Sequence, residues 1–212
     1  MTSADLRITR LDSGLTAATE RVPGTLSVAT GVWVGVGSRD EPAHQAGVSH
    51  FLEHLLFKGT QTRSAQDLAR GIDRLGGDFN AFTGREYTAY YCRLPSRHAA
   101  FGIELLADVL TRPLLSDADV EGERQVILEE LAMDDDSPED MAHRAFSARV
   151  FPDHPLGRDP AGDRDNVRAI TPDDVRTFFT HHYRAGAMVL AAAGPLGHDE
   201  MLAEIERCFS GL

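Results

Sequence analysis

The chain has 212 residues, 42% of them hydrophobic, and its 33 acidic against 21 basic side chains give a formal net charge of -12. A chain of this size can bury a substantial core, so it is predicted to form one large domain or two small ones of a soluble globular protein. The acidic excess argues against sequence-independent binding to nucleic acid and against binding to anionic membranes.

The cysteines and the N-terminal segment bear on the cellular compartment. Cys92 and Cys208 show no paired spacing, so neither a disulfide framework nor a thiolate metal site is predicted. Residues 1–25 lack the apolar run of a secretory signal, and no apolar run of membrane-spanning length occurs. We therefore expect a cytoplasmic protein.

The first third of the chain is predicted to contain three strands and a helix. Two short segments between residues 6 and 22 flank the turn signal Asp12–Gly14, which indicates a β-hairpin. Residues 25–37 alternate small or polar with apolar side chains and predict a long strand. Helical periodicity begins near Ala46; Lys58 gives a basic last turn and Gly59 a C-terminal stop.

The middle of the chain is predicted to pair two strands between helices. Ser64–Asp67 is a capping box that opens a helix ending at Gly76. Residues 78–83 and 87–94 are rich in aromatic and β-branched side chains and predict paired strands. Ser96 is expected to cap a helix that ends near residue 110.

The rest of the chain is predicted to be mostly helical. Ser116 and Ser137 are N-cap candidates, the second followed by proline at the first helical position. Residues 151–170 are expected to be a long ordered loop. The predicted elements are helices at 116–133, 137–150, 171–183 and 198–209 and a buried strand at 188–193.

This order of elements lacks regular alternation of strand and helix. It therefore predicts an α+β fold with a mainly antiparallel sheet of about six strands covered by helices. Trp33, in the long strand, is expected to pack in the core. The nearby Gly31, Gly35 and Gly37 are not followed at once by a helix, so a nucleotide-binding loop is set aside.

The most informative motif is His50-Phe51-Leu52-Glu53-His54. Side chains at i and i+4 of a helix are neighbours, so both imidazoles can reach one ion at the usual Zn–N distance of about 2.1 Å. Glu53 stands beside that edge, where a carboxylate can act as base towards metal-bound water. The motif predicts a catalytic zinc site with Glu53 as the base.

A catalytic zinc ion needs a third protein ligand, commonly a carboxylate on another element. The acidic helix after Ser116 is the obvious source. Within it, Glu123 and Glu130 are seven residues apart and share one face, whereas Glu129 points about 100° away. Periodicity alone leaves open which of the two matched glutamates faces the metal.

The stretch Ser49–Thr60, with its histidines and glutamate in inverted zincin order, resembles the pitrilysin and insulinase family of zinc metallopeptidases. The nearest group looks like bacterial members similar to mitochondrial processing peptidase. The resemblance covers nearly the whole chain and implies the N-terminal catalytic half of a clamshell-shaped endopeptidase. Further matching stretches are Gly76–Thr83, Glu86–Tyr91, Glu123–Glu130 and His154–Arg158.

The resemblance implies a role for each residue of the motif. It implies one zinc ion per chain, held by His50, His54 and Glu130, with Glu53 as catalytic base. Glu123 matches a supporting acid near the metal, so the resemblance makes the choice that periodicity leaves open.

The resemblance also implies where substrate binds. Phe79, Asn80, Ala81 and Phe82 match the edge strand of the family, to which an extended peptide adds as one more strand. Asn80 is expected to orient the peptide near the cleavage point.

Family members have two or more homologous halves, and residues 1–212 are expected to be a single catalytic half-domain without the second half. The expected partners are a peptide or unfolded protein as substrate and either a second homologous half-domain or another copy of the chain. The alternative function is a non-catalytic metal-binding or assembly subunit that needs a separate second half. A third class, hydrolysis of a small molecule, would require a closed pocket instead of an edge-strand groove.

Overall fold

Six strands form a mixed sheet in this computed structural model, which describes residues 5–212. The strands are β1 (Asp5–Arg10), β2 (Thr16–Arg21), β3 (Ser27–Val34), β4 (Asp78–Thr83), β5 (Thr88–Pro95) and β6 (Met188–Gly194). Their order across the sheet is β1-β2-β6-β3-β5-β4, which makes β4 an edge strand and places β6 in the centre. All neighbouring strands are antiparallel except β2 and β6.

The helices pack in layers on this sheet. They are α1 (Val48–Leu56), α2 (Ala65–Asp73), α3 (Ala99–Thr111), α4 (Asp117–Asp135), α5 (Pro138–Val150), α6 (Arg164–Ala169), α7 (Pro172–His182) and α8 (His198–Phe209). Helices α1, α3 and α8 contact the strands, and α4 and α7 pack on α1. The predicted α+β fold with a mainly antiparallel six-stranded sheet is confirmed.

The hydrophobic core lies between one face of the sheet and the helices. Val28, Val32 and Val34 of β3 are buried on this face, because successive side chains of a strand point to opposite sides. Tyr90 of β5 and Leu190 of β6 are buried beside them. This core fixes α1 against the sheet, close to the edge strand β4.

No described residues cover the centre of the opposite face of the sheet. Trp33 is 37% exposed and pairs with Val189, which is 41% exposed. The predicted packing of Trp33 in the core is therefore wrong, because Val32 and Val34 on either side occupy the core-facing positions. A shallow hollow of about 660 Å³ lies on this open face.

The helix N-termini form largely as the sequence predicts, but the predicted cap at Ser96 is wrong, because Ser96 lies in a short 3-10 turn before α3 begins at Ala99. Ser64 and Thr171 make capping boxes, and the side chains of Ser116 and Ser137 accept N–H groups in the first turn. The predicted loop at 151–170 is wrong in one part, since α6 forms within it. The side chain of Asp163 caps this six-residue helix.

None of the helices in residues 5–212 combines the length and the apolar character needed to cross a bilayer.

Candidate metal centre

The helix that carries the histidines is held tightly at its N-terminus. Gly47 precedes α1 with a φ of 100°, a conformation that favours glycine, and a Cβ there would lie 2.9 Å from the carbonyl oxygen of Ala161. The buried Glu41 carboxylate accepts the N–H groups of Gly47 and Ser49, both at 2.8 Å. Burial raises the pKa of Glu41 to about 7, although these two N–H groups lower it.

The apolar stripe of α1 determines where its polar side chains point. Phe51 and Leu55 are buried in the core. His50, Glu53 and His54 lie on the remaining surface of the helix, which faces α4 and the end of β4. The amphipathic pattern thus places the motif at a junction of three elements.

Two histidines and one glutamate meet at this junction. His50 Nε2 and His54 Nε2 are 3.2 Å apart, and Glu130 Oε2 of α4 is 3.8 Å from the first and 3.4 Å from the second. A point equidistant from these three atoms and in their plane lies about 2.0 Å from each, close to the usual Zn–N and Zn–O distances. The three side chains can therefore hold a zinc ion.

The hydrogen bonds of His54 are consistent with a cation at this point. Its Nδ1 lies 3.1 Å from the Glu123 carboxylate, which is a hydrogen-bond acceptor. With the proton on Nδ1, Nε2 presents a lone pair to His50 and to the Glu130 carboxylate. Burial and the neighbouring His54 lower the pKa of His50 to about 4, so its ring is neutral at pH 7. Such a convergence of lone pairs favours a positive charge at this point.

Glu123 contacts His54 from the Nδ1 side of the ring and is not one of the three side chains that converge. Its side chain is 8% exposed and forms an ion pair with Lys58, while its other oxygen contacts His54. Carboxylates in this position fix the tautomer and the orientation of a ligating histidine. Of the two glutamates that periodicity leaves open, the structure brings Glu130 to the histidine Nε2 atoms.

Glu53 lies beside the three ligand atoms of His50, His54 and Glu130, and a residue of the sheet forms a hydrogen bond to it. The hydroxyl of Thr83, the last residue of β4, donates a hydrogen bond of 2.5 Å to Glu53 Oε2. Burial raises the pKa of Glu53, and the hydrogen bond from the Thr83 hydroxyl partly offsets this by lowering it. A partly buried carboxylate next to a metal group is suited to proton transfer.

A cavity of about 370 Å³ opens beside these groups. Its walls include His50, Glu53, Glu130, Phe82 and Thr83. The larger hollow on the open sheet face lies away from the histidines. Because titratable groups at ligand distances lie only in the smaller cavity among the described residues, we take that cavity as the functional one.

The four residues predicted to bind substrate lie on β4, at the free edge of the sheet. Gly84 N–H donates to Tyr87 C=O at 2.8 Å where β4 turns into β5. Bonded and non-bonded pairs alternate along an antiparallel ladder, so the backbone groups of Phe79, Ala81 and Thr83 point to the free edge.

The side chains of this strand divide between the two sheet faces. Phe79 packs on Phe57 beneath the sheet, with ring centroids 4.8 Å apart, and Ala81 is buried. Phe82 is 41% exposed, and Asn80 Oδ1 accepts the N–H of Ala81 at 2.9 Å. Asn80 thus covers an edge N–H group that an added peptide strand needs, and its predicted role in orienting peptide stays a prediction.

Sequence reasoning did not single out Thr83 or Lys58 as site residues. Thr83 ends the stretch Gly76–Thr83 that resembles the family, and its parity with Ala81 puts its side chain on the helix-facing side of β4. That parity is a signal from which its place near α1 could have been predicted. The contact between Lys58 and Glu123 joins α1's end to α4, and no local pattern indicates it.

Two family models match the chain. The model of insulinase, peptidase family M16, matches residues 16–164, and the model of the peptidase M16 inactive domain matches residues 169–212.

Curated relatives are longer than this chain. An uncharacterized zinc protease of Mycobacterium leprae is 46% identical over 98% of this chain and 46% of its own length. An uncharacterized zinc protease of Bacillus subtilis is 36% identical over 93% of this chain and 48% of its own length. The chain therefore spans about half the length of the curated relatives it matches.

Two solved structures that match are also about twice as long as this chain. A protease from Helicobacter pylori matches with a TM-score of 0.95 and 26% identity, over 99% of this chain and 51% of that one. The first half of the periplasmic protease PqqL from Escherichia coli matches with a TM-score of 0.88 and 25% identity, over 98% of this chain and 46% of that one.

Proposed function

The chain belongs to the insulinase family of peptidases, peptidase family M16, and from this premise we propose that it is the catalytic half-domain of a zinc-dependent endopeptidase. One observation carries the proposal. Nε2 of His50, Nε2 of His54 and Oε2 of Glu130 lie 3.2 to 3.8 Å apart, with the Glu53 carboxylate beside them. Hydrolytic zinc sites use three protein ligands and an adjacent base.

Each residue of the site has a separate role in the proposed peptide hydrolysis. His50, His54 and Glu130 would hold the zinc ion, which would supply an acidified water and a Lewis acid for the scissile carbonyl. Glu123 keeps His54 in the tautomer that ligation requires. Glu53 takes a proton from the attacking water and then gives it to the leaving amine. Burial raises the pKa of Glu53, which makes its carboxylate a stronger base than that of an exposed glutamate.

Extended peptides are the proposed substrates. The backbone groups of Phe79, Ala81 and Thr83 form a free edge next to the metal cavity, where a peptide can add as a further antiparallel or parallel strand. Main-chain hydrogen bonds then supply affinity, and Asn80 releases the Ala81 N–H group to the incoming strand.

The whole protein is proposed to work with a second homologous half. The curated relatives are about twice as long as this chain, and a second half-domain or a second copy would enclose the peptide over the cavity. A cytoplasmic location, expected from the sequence, stays a prediction.

A second candidate function is a metal-binding or assembly subunit without activity of its own. The match of residues 169–212 to the inactive-domain model favours it. The complete set of His50, Glu53, His54 and Glu130 favours the peptidase.

The test combines metal analysis with cleavage of a quenched unstructured peptide. The purified chain is expected to bind one zinc ion, and Glu53→Gln is expected to keep the zinc while turnover falls about 10²- to 10⁴-fold. Each assay is run with and without a separate second-half protein from a relative.

Glu129→Gln is the matched control, because Glu129 is exposed on the other face of α4. It should retain both zinc and turnover. Unchanged turnover in Glu53→Gln would refute the assigned base, and bound zinc without cleavage in either condition would support the assembly subunit.

A further inference from the structure

Thr83 joins the edge strand to the base. Its hydroxyl lies 2.5 Å from Glu53 Oε2, and no other residue among 5–212 has a side chain that donates a hydrogen bond to this carboxylate. One residue of the edge strand thus holds the base.

The sheet dictates this arrangement. Thr83 pairs with Thr88 at a non-bonded position of the ladder, so its own N–H and C=O point to the free edge. Its side chain shares the helix-facing side of β4 with Ala81, which is buried beneath α1. The hydroxyl therefore points under the sheet to α1, and its backbone faces the place where peptide is proposed to add.

A glutamate on a helix surface can adopt several rotamers, and most of them do not place the carboxylate for proton transfer. With Oε2 held by Thr83, Oε1 accepts no hydrogen bond from the described residues. Oε1 is then the oxygen available to an attacking water.

We propose that Thr83 is a positioning residue that holds Glu53 Oε2, leaves Oε1 free to take the proton of the attacking water, and aligns the base with a peptide seated on β4. This inference rests on the proposed function and deepens it, because it names the residue that couples substrate seating to the base. Thr83 acts through Glu53 and does not touch the metal-binding atoms.

A purely structural role for Thr83 has different consequences. Threonine is favoured in strands for its branched shape alone, and valine has the same shape without the hydroxyl. If shape were all that mattered, Thr83→Val would behave as the unchanged protein, whereas Thr83→Ser would be the weaker variant.

The experiment compares Thr83→Val and Thr83→Ser in the zinc-loaded 212-residue chain. We expect Thr83→Val to lower kcat about 10- to 100-fold, as loss of outer hydrogen bonds at metal sites does, with KM and zinc affinity little changed. Thr83→Ser should restore most of kcat because it keeps the hydroxyl. Thr16→Val is the matched control, since Thr16 is a half-buried strand residue far across the same sheet.

Two further measurements keep the inference separate from the proposed function. In the Glu53→Gln background, adding Thr83→Val should cause no further loss of residual turnover, because its effect runs through Glu53. Crystal structures should show the Glu53 carboxylate in one place in the unchanged chain and displaced in Thr83→Val, whether or not peptide is cleaved.

The outcomes are distinguishable. If nothing is cleaved with or without the second-half protein, but the Glu53 carboxylate is displaced in Thr83→Val, the proposed function is overturned and the positioning role is kept. A Glu53 carboxylate that stays in place in Thr83→Val, or a kcat equal to that of the unchanged chain, would overturn the inference on Thr83.

Discussion

Glu123 serves two neighbours with one buried carboxylate. One oxygen lies 3.1 Å from His54 Nδ1, and the other pairs with Lys58 at the end of α1. Because the carboxylate is almost fully buried, its charge is weakly screened and both contacts are strengthened. Glu123 therefore fixes both the imidazole of His54 and the end of α1 relative to the other two candidate ligands.

Removing this carboxylate should weaken zinc binding without removing a ligand. We expect Glu123→Ala to lower zinc affinity about 10- to 100-fold, because His54 loses the acceptor that fixes its tautomer. Competition with a fluorescent chelator measures the affinity. Glu129→Ala, on the exposed face of the same helix, is the control, and equal zinc affinity in the two variants would contradict the role given to Glu123.

The site could be predicted only in part from the sequence. The i, i+4 spacing of His50 and His54 is a local property, so the histidine pair and its helix followed directly from the motif. Glu123 and Glu130 are two helical turns apart, about 10 Å along the axis, and which turn is level with the histidines depends on how α4 crosses α1. That crossing is a tertiary property, and the resemblance supplied the choice.

At the scale of elements, α1 and the segment before α6 are fitted closely together. Gly47 at the start of α1 lies against Ala161 and Gly162, and the backbone leaves no room for a Cβ. Arg158 reinforces the contact by donating to the Glu41 carbonyl at 2.7 Å. The segment that carries Ala161 also forms a wall of the metal cavity.

A methyl group at this contact should be costly. We expect Gly47→Ala to lower the free energy of unfolding by about 1–3 kcal/mol, because it combines an unfavourable positive φ with a clash. Gly122→Ala in α4 is the matched control, since a Cβ there meets nothing within 4 Å. That control should gain up to about 1 kcal/mol from helix propensity.

Denaturant titration of both variants measures the two free energies. Equal stability of Gly47→Ala and the unchanged chain would show that the contact between α1 and the segment at Ala161 is looser than the structure has it.

The predictions of secondary structure and burial are wrong where the sequence signal is short or fits two structures. Asp163 is a good N-cap, but α6 has six residues, and the surrounding glycines and prolines indicated a loop. In β3, Val32 and Val34 fill the core-facing side, so Trp33 between them lies on the open face. The parity of its neighbours decides its place, and its large apolar ring does not.

At the scale of the molecule, a metal ion would tie α1 to α4 through His54 and Glu130, which are 76 positions apart in the sequence. Anything that binds the folded chain and not the unfolded chain raises stability through mass action. We expect zinc at a hundredfold excess over its Kd to raise the free energy of unfolding by about 2.7 kcal/mol, and a chelator to remove this gain.

Thermal and denaturant unfolding with zinc or with chelator measure the effect. Glu130→Ala should show a much smaller gain at the same zinc concentration, because one ligand is missing. A gain of equal size in Glu130→Ala would place the stabilising ion elsewhere.

The position of β6 has a consequence for biosynthesis. This strand is the last of the six in chain order, yet it lies between β2 and β3 and bonds to both. Until residue 194 has emerged from the ribosome, the nascent chain has two separate strand groups with unpaired edges, which are prone to join other chains. We therefore expect this sheet to form only after β6 has been made and to depend on protection of those edges in the meantime.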